Sequence, residues 1–158
     1  MVLMSIVIST RNADKLKEIR AILEMPGLLF KSALDFPEAP RVDEDGDTLE
    51  ANAVKKATTL AQYCLMWALA DDTGLEVDAL GGAPGVYAAR YAGPNATYRD
   101  NVTKLLAELK GEGNRTAQFR TVIALSDSLG NTQVVDGACP GIIAEAPQGG
   151  GGFGYDSI

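Results

Sequence analysis

At 158 residues, 46% hydrophobic and 22% charged, the chain has the size and composition of one globular domain, and no stretch approaches the roughly 18 consecutive apolar residues of a membrane span. Its 14 basic against 21 acidic residues leave a net charge of −7, which opposes non-specific attraction to nucleic acid but leaves room for one small nucleotide at a local positive site. Histidine is absent, which excludes Ser-His-Asp and Cys-His catalysis and the usual His-rich zinc sites; chemistry must run through carboxylates, lysine, hydroxyls, backbone amides or a hard metal ion.

Met1 to Thr10 lacks the basic segment of a secretory signal, so the chain is read as cytoplasmic. Ser5 to Ser9 is a short β-branched run, and Lys15 to Glu24 places Leu16, Ile19, Ile22 and Leu23 on one helical face. An acidic, proline-containing stretch from Asp35 to Asp47 follows, and Asp47 with Glu50 has capping-box spacing for a helix from about Thr48 to Leu65. Trp67 to Ala70 predicts a short buried strand ending at Asp71-Asp72, with a turn at Gly74 and a second extended segment from Leu75 to Leu80.

A Gly/Pro-rich loop spans Gly81 to Asn95, and Thr97 with Asp100 caps a helix whose Val102, Leu105, Leu106 and Leu109 share a face. Thr116 to Ser126 alternates as a strand, Ser128 to Asn131 is a turn, Thr132 to Val135 is its partner, and Gly141 to Ala144 is a further strand candidate. Cys64 and Cys139 have no CxxC spacing and are expected to be buried small hydrophobes. There are no repeats and no linker, so the expectation is one mixed α/β unit with room for two lobes about a cleft.

Three segments carry groups suited to chemistry. Ser9 to Lys15 (STRNADK) sits between a strand and a helix, where small polar side chains, helix N–H groups and a lysine one turn in suit phosphate oxygens; its plain alternative is an N-cap with a solvated lysine. Asp43, Glu44, Asp45 and Asp47 share one loop, and Asp71-Asp72 leaves a buried strand, where adjacent carboxylates need a cation or several hydrogen bonds. With no His and no suitable Cys pair, Mg²⁺ with oxygen ligands is the natural cation; the alternative is a solvated loop and a turn-making Asp71. Gly149 to Asp156 (GGGGFGYD) lets backbone approach a ligand and offers Phe153 or Tyr155 as a ring for a base, against the alternative of a flexible turn before a core aromatic.

In order, ISTRNADKLKEI, DGDTLEANAVKKA, ADDTGLEVDALGGAPGVYAARYAG and GGFGYD resemble the inosine triphosphate pyrophosphatase family, the RdgB-type enzymes acting on non-standard purine nucleotides, across the whole chain. The resemblance implies an elongated, two-lobed mixed-sheet α/β homodimer with a central nucleotide cleft, splitting ITP, dITP and XTP into the monophosphate and pyrophosphate. It also implies that Thr10, Asn12 and Lys15 hold the triphosphate, that Glu44 and Asp72 hold Mg²⁺ with Asp72 accepting the proton of the attacking water, that Thr73 touches substrate, and that Phe153, Gly154, Tyr155 and Asp156 line the nucleotide pocket. Arg11 stands where many members carry glycine, and Ser157 where proline is usual.

Family chains continue past this motif with a strand, a base-contacting lysine, a Ser-His-Arg triplet and a final helix. A domain of residues 1–158 is therefore expected to lack that strand and helix, to be unstable or to aggregate by itself, to lose any preference for ITP over ATP, and to be part of a longer protein or an incomplete gene product. The alternatives are a pyrophosphatase of similar fold acting on pyrimidine or modified nucleotides, and a catalytically inactive nucleotide-binding protein. No nucleic-acid or membrane partner is expected.

Overall fold

The computed structural model describes residues 4–158, so the first three residues of the segment read for a secretory signal lie outside the described residues. Strand β1 (Met4–Ile8) buries Ile6, Val7 and Ile8 and leads into helix α1 (Ala13–Leu23), whose N-cap is Asn12. Strand β2 (Leu28–Ser32) pairs in parallel with β1, from Met4 opposite Leu28 to Ile8 opposite Ser32. The sequence did not announce β2: it is an edge strand whose burial alternates, but exposed Leu29 between half-buried Leu28 and Phe30 makes an apolar run that hides the alternation.

Helix α2 (Leu49–Cys64) falls almost where expected, but its cap is Thr48, not the Asp47–Glu50 pair. Thr48 takes the extended conformation and its hydroxyl reaches the Ala51 N–H at 3.1 Å, so the helix begins one residue later than the capping box requires. Strand β3 (Trp67–Val77) runs unbroken through Asp71, Asp72 and Gly74, which corrects the expected turn. Gly74 is needed for a close approach: a Cβ there would lie 2.6 Å from the carbonyl oxygen of Gly85, on the two-residue strand β4 (Pro84–Gly85) antiparallel to β3.

Helix α3 (Tyr98–Glu108) carries the predicted Thr97–Asp100 capping box. Strand β5 (Thr116–Ser126) matches its expected bounds and passes through a turn, in which the Asp127 carboxylate accepts the N–H groups of Leu129 and Asn131, into strand β6 (Thr132–Ile142). That strand is longer than Thr132 to Val135 and takes in the start of the segment expected as a separate strand at Gly141 to Ala144. Gly137, Pro140 and Gly141 hide its alternation, and Pro is tolerated because β6 ends the sheet order β2-β1-β3-β5-β6. Cys139 is exposed on this strand, contrary to the expected burial, while Cys64 is half-buried against a core cluster.

The chain is thus mixed α/β, with three helices and six strands among the described residues. It forms two compact units. Met1–Asp72 with Val122–Asp136 has a core of Val7, Ala33, Ala39, Leu60, Ala61 and Ala68; Thr73–Thr121 with Gly137–Ile158 has one built on Leu75, Val77, Val102, Leu105, Leu109 and Tyr155. Among the described residues no helix is long and apolar enough to cross a membrane.

Candidate active site

In the first unit, one face of α2 organises the acidic loop. The buried stripe of this helix includes Leu49, Ala53, Ala57 and Leu60 but also two polar residues one turn apart, Asn52 and Lys56. Lys56 Nζ lies 2.5 Å from Glu44 Oε1 and 3.8 Å from Asp72 Oδ1, so both expected metal-holding carboxylates meet one cationic centre. Lys55 Nζ donates to the Asp43 carbonyl at 3.0 Å and to Asp45 Oδ1 at 2.6 Å. Asn52 Oδ1 accepts the Gly46 N–H at 2.8 Å while its Nδ2 donates to Asp72 Oδ2 at 2.9 Å. Burial pushes the Asp72 carboxyl above the ordinary aspartate range, against the opposing pull of Lys56 and the Asn52 hydrogen bond.

Lys15 is not a solvated lysine. Its Nζ lies 2.7 Å from Asp71 Oδ2; burial alone would lower its pKa, but Asp71, with Asp72 and Glu44 beyond, outweighs this and holds it above the ordinary lysine range. Asn12 is an N-cap, and its Oδ1 accepts the N–H groups of Asp14 and Lys15, so these two helix amides already have a protein partner. Thr10 is buried and its hydroxyl accepts the Asn12 N–H at 3.1 Å, which fixes the turn into α1. Arg11 reaches the Ala39 carbonyl at 3.1 Å and ties this turn to the start of the acidic loop.

The remaining expected residues belong to the second unit. Thr73, the first residue of that unit, shares a 2.9 Å hydrogen bond between hydroxyls with Thr121. The glycine run is closed by the Gln148 N–H on the Ser157 carbonyl at 2.7 Å, and the Asp156 carboxylate accepts the Phe153 N–H at 3.0 Å; a Cβ on Gly152 would run into that carboxylate. The two aromatic rings differ in what they can offer. Tyr155 is buried in the core with its hydroxyl donating to the Ala88 carbonyl at 2.8 Å, whereas Phe153 is half-buried beside the exposed Tyr98, ring centres 5.9 Å apart. Gly154 has a positive φ of 62°, which lets the chain turn between them.

Asn52, Lys55 and Lys56 were not singled out from the sequence, although the quoted DGDTLEANAVKKA contains all three. A signal was present: in the 3.6-residue pattern of α2, Asn52 and Lys56 lie in the apolar stripe, where uncompensated polar groups are costly. Among the described residues no group of three or more His, Cys, Asp or Glu side chains is arranged to hold a metal. Two carboxylates converging on one cationic centre nevertheless suit Mg²⁺, a hard ion that keeps several waters and is commonly held by one or two carboxylates together with substrate phosphates.

The sequence profile of the Ham1 family matches residues 6–158. The chain belongs to that family. Among its relatives are dITP/XTP pyrophosphatases from an Exiguobacterium species, 48% identical over 98% of this chain and 79% of the relative, and from Geobacter sulfurreducens, 49% identical over 97% and 78%. Solved Ham1 structures superpose closely: a HAM1 protein from Coxiella burnetii has a TM-score of 0.88 at 38% identity, over 98% of this chain and 80% of that one. A nucleoside-triphosphatase described as a dITP/XTP pyrophosphatase, from Mycobacterium abscessus, gives 0.82 at 39% identity, over 98% and 82%. The resemblance drawn from the motifs and the mixed α/β fold are borne out, and the chain spans about four fifths of the length of these Ham1 proteins.

Proposed function

We propose that this Ham1 chain hydrolyses the purine nucleoside triphosphates dITP, ITP and XTP to the monophosphate and pyrophosphate, with Mg²⁺ held by Glu44 and Asp72. The observation that carries the reading is the meeting of Glu44 and Asp72 on one cationic centre, in a chain about half identical to proteins named dITP/XTP pyrophosphatases. Mg²⁺, when bound, supplies charge neutralisation for the triphosphate oxygens and acidifies a water.

The chain's own groups do the rest. Lys15 brings an ammonium group to the triphosphate, and Thr10 and Asn12 shape the turn that presents it. Asp72, whose burial makes it a better proton acceptor than an ordinary aspartate, takes the proton of the attacking water. Thr73, steadied by Thr121, offers a hydroxyl to the substrate. Phe153 offers a ring face to the base, while Gly154, Tyr155 and Asp156 hold the segment that carries it. We read the enzyme as a cytoplasmic homodimer acting on free nucleotides, and its net charge of −7 fits a free nucleotide better than a nucleic acid.

The test is product analysis of purified protein with Mg²⁺ and dITP, XTP, dATP or dTTP. Pyrophosphate and dIMP should appear from dITP; in a protein that also carries the family's base-contacting lysine and Ser-His-Arg groups, kcat/KM should exceed that for dATP by about 10- to 100-fold, the scale of a mispaired buried polar group at the 6-position. Release of orthophosphate in place of pyrophosphate, or equal kcat/KM for dITP and dATP in that longer protein, would overturn the assignment.

A further inference from the structure

The geometry around α2 points to a role for Asn52, and we propose that it is a positioning residue of the reaction: its buried amide ties the backbone of the acidic loop to Asp72 and sets the spacing at which Glu44 and Asp72 face a divalent cation. This rests on the reading of Glu44 and Asp72 as the cation-holding pair. Asn52 is only 1% exposed, and a carboxamide that deep is tolerated only when its polar groups are paired. Both ends are. Oδ1 accepts from Gly46 N at 2.8 Å and Nδ2 donates to Asp72 Oδ2 at 2.9 Å.

The orientation of the amide is forced. Turned over, it would set N–H against N–H at Gly46 and oxygen against carboxylate at Asp72. One carboxylate oxygen of Asp72 is thereby anchored, leaving Oδ1 as the atom nearer Lys56, on which Glu44 also converges. On the loop side, Gly46 lies two residues after Glu44, and a Cβ at Gly46 would sit 2.7 Å from Asn52 Oδ1 and 3.0 Å from the Ala51 Cβ. Glycine is therefore required here for close approach, and the clamp and the glycine form one device. Asn52 itself touches no reacting atom; it acts through Asp72 and the loop.

The experiment measures Mn²⁺ binding to the full chain without nucleotide, by the loss of the free-ion paramagnetic resonance signal, together with the Mg²⁺ dependence of dITP hydrolysis. Asn52→Leu keeps the side-chain volume and removes the amide; Gly46→Ala keeps the amide and pushes the loop off it. Both should weaken Mn²⁺ binding and raise the Mg²⁺ needed for half-maximal rate by about 10- to 100-fold, the usual effect of losing a group that orients a metal ligand. KM for dITP at saturating Mg²⁺ should stay within about threefold, because uniform substrate binding is untouched. A purely structural Asn52 would lower thermal stability and leave both cation dependences as they were, and that result overturns the proposal. If Asn52→Leu does not fold, Gly46→Ala decides in the same way. Wild-type protein that binds no Mn²⁺ and also hydrolyses dITP with no dependence on Mg²⁺ refutes the cation-holding pair itself, and the clamp with it; wild-type cation dependence matched by both variants refutes the clamp alone.

Discussion

Replacing Lys56 with Met tests whether a cation is what Glu44 and Asp72 require of that position. Met fills a similar volume, so little of the effect comes from a cavity. The lost ammonium stands 2.5 Å from Glu44 Oε1 and 3.8 Å from Asp72 Oδ1, with the Lys56 and Asp72 side chains 11% and 9% exposed and that of Glu44 34%. Breaking a buried pair by removing one partner costs about 3–5 kcal/mol, and the partial exposure of Glu44 puts this case near 3 kcal/mol. For a chain of this size that is a fall in Tm of roughly 6–12 °C. Thermal unfolding followed by circular dichroism, at about pH 8 so that protonation of Asp72 does not mask the loss, should show that fall in EDTA. Added Mg²⁺ should then raise the Tm of the variant more than that of the wild type, because binding to the folded state stabilises by mass action and the ion no longer competes with an ammonium. A loss below ~1 kcal/mol, or equal Mg²⁺ shifts for the two proteins, would refute the reasoning.

Asp72→Asn should cut kcat for dITP by well over tenfold, more than ~1.4 kcal/mol of barrier, as read by pyrophosphate release. The same change should not lower Tm at neutral pH. Burial raises the Asp72 pKa in the folded chain, so the folded state binds more protons than the unfolded one just above the ordinary aspartate pKa, and this group's contribution to stability falls as pH rises through that window. The Asn variant should lose that slope in pH-dependent melts. Tyr155→Phe removes the hydroxyl that donates to the Ala88 carbonyl and should reduce unfolding free energy by about 1 kcal/mol in urea titrations, with the m-value unchanged. Gly74→Ala drives a Cβ against the Gly85 carbonyl and should destabilise by about 1–3 kcal/mol in the same assay; an unchanged midpoint would show that β4 can move aside.

What could be read from the residues alone followed from how strongly each element depends on its own side chains. Helix α3 was legible because its Thr97–Asp100 cap and its Val102, Leu105 and Leu109 stripe are local signals. β2 was invisible because exposed Leu29, between half-buried Leu28 and Phe30, hides its alternation, and β3 was cut at Gly74 because a glycine required by a neighbouring strand looks the same in sequence as one required by a turn. Of the site, the acids and Lys15 were legible as types of group. Their wiring was not: that Lys15 answers Asp71, and that Lys56 joins Glu44 to Asp72, depends on partners 56, 12 and 16 positions away in the chain. Asn52 and Lys56 were hidden for a different reason, since a helix pattern read for its apolar residues passes over the polar ones in the same stripe.

The acidic loop and α2 are bonded at three rungs, Asp43 and Asp45 to Lys55, Glu44 to Lys56, and Gly46 to Asn52, all within little more than one helical turn. Surface loops ordinarily absorb insertions and deletions with little penalty. This one cannot, because adding or removing a residue between Gly46 and Asn52 would slide every rung out of step at once. The segment is irregular in conformation yet has a fixed gauge, so substitutions among its outward-facing residues should be tolerated while any change in its length should not.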